Sequence, residues 1–451
     1  MKFIPTLDKN FKPIIVEYND FIKKVKSYGS NASISVCVER NKGYNYVFNM
    51  PVYPDGVADE ENYKIVERMV KAVLWIVGGY KIFVKGSHVL YEKLKRAYSK
   101  TGERAFDNEF MSTCYLKDFE VIYSDETFIS KENPVSLGGH INGNRIGFDA
   151  GGSDFKICAV VDGQTIYSEE IVWNPKTQTN PEYHYEMIEK GLNKAKSHLG
   201  KVDAIGVSSA GVIIDDCLMV SSLFLGVDKT NCLEKCQKAF VNVIEKTFPN
   251  VPYAVANDGD ITALAGSMGL GLKSVMGMAM GTSEAVGYIN EKGDINGWIS
   301  ELAFCPVDLN ENAEVDEWST DKGVGCKYFS QDAVIRLYEN AGKKFDEKLT
   351  KAEKLSFVQT LLEKGDKLAE EIYENIGIFL GYTLPFYHKF YRMKHLLIMG
   401  RVVSGRAGQI IVDNAKKVLK EEFNLEIDLI LPDEKSKRVG QSIASASLVK
   451  I

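Results

Sequence analysis

The rhythm of apolar and polar positions changes along this chain and separates three regions. In the first, residues 33–39 and 44–50 read as strands joined at Asn41-Lys42-Gly43, a hairpin turn signal. Ile65, Val66, Met69, Val70, Val73 and Leu74 then recur at helical spacing. A strand at 81–84 and a helix through 91–97 come next, and Gly138-Gly139 with Asn142-Gly143 reads as a linker. The second region predicts a strand at 145–148, a glycine turn, strands at 157–161 and 165–172, a helix at 187–198 and a strand at 204–208. The third predicts strands at 274–280 and 285–289, one long helix over 357–380 and a last strand at 395–399. Hairpins, helices and strands in this succession make an α/β chain. Val77-Gly78-Gly79, with its adjoining strand and helix, faintly echoes Met399-Gly400 and the helix beyond that turn.

Bulk properties narrow the class. A chain of 451 residues is too long for one ordinary core, so two or three domains are expected. Hydrophobic residues at 45% and charged residues at 26% are ordinary globular composition. A formal net charge of −6 argues against nucleic acid or an anionic membrane as partner. The start lacks an apolar signal core and no apolar run is long enough for a bilayer, so a soluble, cytoplasmic protein is expected. The 8 cysteines are scattered without a C-x-x-C pair, which reads as reduced thiols. Cys232 and Cys236 share a helix face, but no nearby His completes a metal set.

The chemistry concentrates in glycine turns at strand ends. Asp149-Ala150-Gly151-Gly152-Ser153 places an acid at the end of a strand, then two glycines and a hydroxyl, then another strand. Such glycines let backbone N–H groups approach phosphate oxygens, Ser153 adds a donor, and Asp149 suits Mg²⁺ held through water. The plainer reading is a tight hairpin whose glycines serve only the turn. Gly281-Thr282-Ser283 forms a second turn of the kind, suited to an opposing phosphate clamp, and Gly400-Arg401 a third, suited to the adenosine side. The Walker pattern G-x-x-x-x-G-K-[ST] is absent. Between the first two turns lies Asn257-Asp258-Gly259, which by itself also reads as a helix N-cap.

Taken in order, these turns resemble the actin- and hexokinase-type ATPase superfamily. With Ser209-Ala210-Gly211, Asn257-Asp258, Ser300-Glu301-Leu302 and Gly325-Cys326 they resemble the ROK family (repressor, open reading frame, kinase) of sugar kinases over about residues 145–451. The resemblance implies a two-lobed, ribonuclease-H-like α/β fold, with a small lobe of 145–257 plus 439–451, a large lobe of 258–438, and an additional α/β domain at 1–144. It implies a cytoplasmic kinase for a sugar or sugar derivative that uses ATP and Mg²⁺. Asp258 is the implied base toward the acceptor hydroxyl; Asn257, Glu301 and Gly211 are implied at the sugar. Asp149, Gly151, Gly152, Ser153, Gly281, Thr282, Ser283, Gly400 and Arg401 are implied at Mg·ATP, and a homodimer is compatible with it.

Departures from the family pattern matter as much. The zinc motif of many members has Phe304 in place of its His and Ser319 and Asp321 in place of two cysteines, with Cys326 retained. No zinc is therefore expected. The sugar-contacting acid expected after Gly325-Cys326 is Tyr328, so Phe304 and Tyr328 are expected to stack on the acceptor or shrink its pocket. Asp154 and Glu284 add negative charge beside the phosphate turns, with Arg401 and Arg406 as candidate compensators. Residues 1–144 lack a basic helix-turn-helix pattern. Two alternatives stay open: a sugar or nucleotide sensor that kept the fold without catalysis, and a kinase for a polyol or amino sugar.

Overall fold

Antiparallel pairing of β1 (Ser33–Glu39) with β2 (Asn45–Pro51) through the Asn41–Gly43 turn begins the first sheet, which runs β2-β1-β3-β4 with β3 (Lys81–Lys85) parallel to β4 (Glu120–Tyr123). The computed structural model describes residues 1–132, 137–432 and 440–451. The helix Asp59–Ile76 starts with Asp59, Glu60 and Glu61, acids that suit the positive end of its dipole. From Ile65 to Ile76 every side chain is buried, including Glu67, Arg68 and Lys71. A helix buried on all sides must pair its charges internally. A helix that the pattern did not predict, Ile14–Tyr28, precedes the sheet.

The second sheet runs β11-β8-β5-β6-β7, formed by β5 (Asn144–Ala150), β6 (Asp154–Val161), β7 (Gln164–Val172), β8 (Ala204–Ser209) and β11 (Tyr253–Asn257). A small hairpin, β9 (Val212–Ile214) with β10 (Cys217–Val220), intervenes. β5, β8 and β11 are parallel, so their carboxyl ends lie along one edge. The third sheet runs β13-β12-β14-β15, from β12 (Val275–Met280), β13 (Glu284–Ile289), β14 (His395–Met399) and β15 (Asp428–Ile430). The architecture is the α/β, actin/hexokinase-like ATPase fold that the resemblance implies, with the N-terminal extension.

Two compact units emerge, and their limits differ from the expected segments. One comprises Met1–Asn133, Met278–Ala285 and Trp298–Leu431; the other Pro134–Gly277, Val286–Gly297 and Pro432–Ile451. Residues 1–132 are not set apart within the first unit, because backbone and side-chain groups near the start bond to its far end. The Lys2 amide donates to Glu422 (2.8 Å), Arg336 pairs with Asp8 (2.5 Å), and the Leu7 amide donates to Asn375 (3.0 Å). The expected boundary at 438/439 lies outside the described residues.

The long helix expected over 357–380 is two helices, Lys351–Glu363 and Lys367–Tyr391. Gly365 between them takes φ +79°, and Asp366 caps the second by accepting from the Ala369 amide. Periodicity alone runs through such a break. Among the described residues no helix is long and apolar enough to cross a membrane.

In the second unit the last helix, Gln441–Ala446, lies directly on the sheet. A Cβ on Gly147 would stand 1.8 Å from the Ser442 carbonyl oxygen, and one on Gly206 1.7 Å from that of Ser445. Arg145, 1% exposed, then donates to the Ala446 carbonyl at the helix end (3.3 Å) and to that of Val449 just beyond it (2.7 Å). Gly206→Ala should cost about 1–3 kcal/mol by overpacking, read as a lower midpoint in urea with an unchanged slope.

Candidate active site

Strand register builds the candidate site of the second unit. Asp149 pairs with Ser208 and Ala150 with Ser209 across β5–β8; Ala256 pairs with Ser208 and Asn257 with Ser209 across β8–β11. Asp149 and the Asn257-Asp258 step therefore leave the same carboxyl edge of three adjacent parallel strands, the edge at which open α/β sheets bind ligands. β5 ends in the turn Gly151-Gly152-Ser153, held from beside by Trp173. The Trp173 amide donates to the Ser153 carbonyl (3.0 Å) and its indole to that of Gly151 (2.9 Å). The Ser153 hydroxyl donates to Asp154 (2.9 Å), so that acid is engaged within the turn.

A lysine that sequence reasoning missed reaches this turn. Lys176 lies just beyond the hairpin return, and a Cβ on Gly152 would lie 2.8 Å from its Cε and 2.9 Å from its Nζ. The carbonyl of Pro175 meets the Nε2 of buried His184 at 3.1 Å, anchoring the segment. The signal was available: Asp154 pairs with Val172, so the residues after Val172 must run back past the glycine turn.

Asp258 is the first residue of the helix Asp258–Leu270, where the helix dipole favours its negative charge. Close packing fixes it. A Cβ on Gly287 would stand 2.1 Å from the Gly259 carbonyl oxygen, and Asp260 accepts from the Tyr288 amide (3.0 Å). Burial raises the Asp258 carboxyl above the usual carboxylate range, with the Gly259 amide pulling the other way. Burial, with the charge of Asp258 added, raises Asp149, and burial pushes Asp260 up to about 7. Asn257 is the N-cap: its carbonyl accepts from the Gly259 amide (2.7 Å) and its amide donates to the Gly211 carbonyl (2.8 Å). The cap reading thus holds for Asn257, and half of its hydrogen-bonding capacity is spent within the protein.

The first unit brings two of the predicted turns together. A Cβ on Gly400, at φ +100°, would lie 2.3 Å from the Met280 carbonyl oxygen, so only glycine fits there. Arg401 donates to the Thr282 hydroxyl (3.3 Å), and the Gly281 carbonyl accepts from the Gln331 amide (2.9 Å). Arg406 is spent on the Leu362 carbonyl (3.1 Å).

Of the two expectations for Phe304 and Tyr328, stacking on the acceptor or shrinking its pocket, their burial speaks against stacking. Phe304 packs among Trp75, Phe106 and Phe110, with ring centroids 4.5, 5.6 and 6.4 Å away. Tyr328 is fully buried, donates to Asp308 (2.6 Å) and lies beneath Arg336. The reason is cover from residues 1–132, which supply Phe11 and Trp75. At the zinc-motif positions, Ser319 donates to Asp316 (2.7 Å), the Cys326 thiol points at Asp316 (3.4 Å), and Asp321 is ion-paired to Arg68, Lys71 and Arg104 (2.8, 3.1 and 2.7 Å).

Glu301 is half-buried and comes directly after Ser300, whose φ is +48°. Glu284 is 4% exposed, and neither carboxyl oxygen has a hydrogen-bond partner among the described residues. One oxygen occupies the place a Cβ on Gly325 would take, 2.1 Å away. Burial, then the negative charge of Glu301, pushes it up to about 8. It therefore carries its proton at neutral pH, and the expected repulsion of phosphate is removed.

Among known proteins, the ROK family model matches residues 145–438. A ROK hexokinase from Thermus thermophilus superposes with a TM-score of 0.52 at 16% identity, covering 67% of this chain and 97% of that one. A ROK family transcriptional regulator, homologous to the E. coli MLC protein, gives 0.50 at 15%, covering 68% and 79%. A ROK glucokinase from Streptomyces griseus, solved with glucose and AMPPNP, gives 0.48 at 16%, covering 68% and 99%. No curated relative matches the sequence.

A raised carboxyl binds an extra proton in the folded state, so it lowers stability as pH rises from the unfolded value near 4.5 through about 8. Glu284→Gln should therefore raise Tm by several degrees at pH 8.5 and little at pH 5, measured by calorimetry at both.

Proposed function

Because the chain belongs to the ROK family, we propose that it transfers the γ-phosphoryl group of Mg·ATP to a hydroxyl of a sugar or sugar derivative. The observation that carries this reading is Asp258 at a helix start, on the same carboxyl strand edge as Asp149 and its glycine turn. A carboxylate made more basic by burial suits proton abstraction from an alcohol. Asp149 fits a hydrated Mg²⁺, because a divalent cation relieves both its burial and the nearby charge of Asp258. Bound there, Mg²⁺ supplies charge neutralisation on the phosphates.

Chemistry assigns the remaining roles. Amides of Gly151, Gly152 and Ser153 donate to phosphate oxygens, and Lys176 adds a positive charge over the same turn. Gly281, Thr282, Ser283, Gly400 and Arg401 serve the nucleotide, with Arg401 oriented by Thr282. Glu301 accepts from acceptor hydroxyls, and Gly211 and the free half of the Asn257 side chain complete the acceptor contacts. Phe304 and Tyr328 take no part in stacking. The sensor reading draws support from the structural likeness to a ROK transcriptional regulator.

The test is ADP release from Mg·ATP across D-glucose, D-mannose, N-acetyl-D-glucosamine, N-acetyl-D-mannosamine, D-glucosamine and glycerol. Turnover of a panel member, lowered at least about a hundredfold by Asp258→Asn with sugar binding kept in calorimetry, is the expected result. Sugar binding without turnover in the wild type would favour the sensor. Lys176→Met should raise the KM for ATP about tenfold or more, since a hydrogen bond to a charged group is worth about 1.5–3 kcal/mol, and Lys176→Arg should restore most of it. An unchanged KM in Lys176→Met would remove Lys176 from the phosphate site.

A further inference from the structure

Between β13 and the helix Gln331–Asn340 the chain forms no regular element beyond the three-residue turns Leu302–Phe304 and Gly325–Lys327 and a few isolated bridges. An irregular stretch of this length does not order itself inside a compact domain, so its order must be imposed from outside. The segment 298–329 nonetheless has most of its apolar side chains buried, and it carries Glu301.

Residues 1–132 meet it at three levels. Backbone bonds come first: the Ser300 amide donates to the Ile76 carbonyl (3.0 Å), the Ile14 amide to Val307 (3.0 Å), and the Leu309 amide to Lys12 (2.8 Å). Rings come second, with Trp75 against Phe304 at 4.5 Å and Phe11 against Tyr328 at 5.6 Å. Charge comes third. Asp321 of the segment receives Arg68, Lys71 and Arg104, while Glu67 pairs with Arg68 and Arg104 (both 2.7 Å) and Asp107 with Lys71 (2.8 Å). Three cations meet three anions, all within a tenth of full burial, with Tyr98 and the Trp75 indole donating to Glu67 and Asp107. Arg104 also reaches Glu103 at the rim (3.0 Å), and one Arg68 nitrogen lacks a hydrogen-bond partner among the described residues, but each cation is ion-paired within the protein, which makes the cluster a fastening and not a ligand site.

We propose that residues 1–132 brace the acceptor-binding segment from within the same chain, with Arg68, Lys71 and Arg104 as positioning residues that act on Glu301 through Asp321. The inference rests on the reading of Glu301 as an acceptor contact. Ser300 transmits the hold: its amide is fixed to Ile76, its hydroxyl receives Tyr391 (3.1 Å), and its left-handed backbone aims the next residue, Glu301. Burial works against the ionised Asp321, but Arg68 and Lys71 outweigh it and hold its carboxyl at about 2. A depressed carboxylate contributes above its unfolded value near 4 and loses that contribution only as pH falls toward 2, so the brace is constant across the neutral range.

Hydrogen exchange on the full ligand-free chain tests this. In Asp321→Asn, amides of 298–329 should exchange at least tenfold faster, with those of 367–391 and 258–270 unchanged, and Asp321→Glu should recover part of the protection. Should Asp321→Asn fail to fold, Trp75→Phe gives the same local pattern in milder form. Unchanged exchange in 298–329, or an equal rise in 367–391, overturns the brace. This readout uses no substrate, so it stands apart from the kinase reading. With any sugar that the panel shows to be phosphorylated, Asp321→Asn should raise the acceptor KM more than tenfold and the ATP KM less than twofold. An equal rise in both would reduce the cluster to general stability.

Discussion

A carboxylate withdrawn from water costs several kcal/mol unless cations replace the lost hydration, and the first unit is organised around meeting that demand at Asp321. Arg68, Lys71 and Arg104 meet it together, and the helices that carry them are packed into place as a result. Glu284, in the same unit, meets the same demand in the opposite way. It has no hydrogen-bond partner among the described residues and keeps its proton. Two buried acids thus end on either side of their ordinary range, one charged and one neutral at physiological pH. Positions that the family resemblance assigns to metal ligation are here filled by Phe304, Ser319 and Asp321, each engaged by protein groups.

The second unit is governed by steric closeness. Gly147 and Gly206 let the last helix lie on the sheet, and Gly287 lets the helix that begins at Asp258 approach β13. These contacts leave the carboxyl edge of β5, β8 and β11 little room to shift. Asp149 and Asp258 are held there by backbone register.

Legibility in the sequence tracked the range of the interactions. The strand-end turns at Asp149–Ser153, Gly281–Ser283 and Gly400-Arg401 were readable because each is local, fixed by glycine, a hydroxyl and an adjoining apolar strand. The position of Asp258 was readable for the same reason. The fate of Phe304 and Tyr328 was not, because what covers them comes from Trp75 and Phe11, remote in sequence. Glu284 looked like a liability because burial and protonation are properties of surroundings and not of spacing. Lys176 sits between these cases, since the β6–β7 register points to it once the hairpin is drawn. The break at Gly365 escaped because both helices keep the same apolar period across it.

The partners of the Asp321 cluster also set a timetable for synthesis. Arg68 and Asp321 are 253 residues apart, and Asp8 waits 328 residues for Arg336. At roughly 5–20 residues per second on the ribosome, the cations of the buried helix exist for about 13–50 s before their anion emerges. Through that interval the part of Asp59–Ile76 that packs on Phe304 lacks that cover, and its charges have no counter-charge from Asp321. The first unit therefore cannot mature as its residues appear. It closes late, after most of the chain has been made.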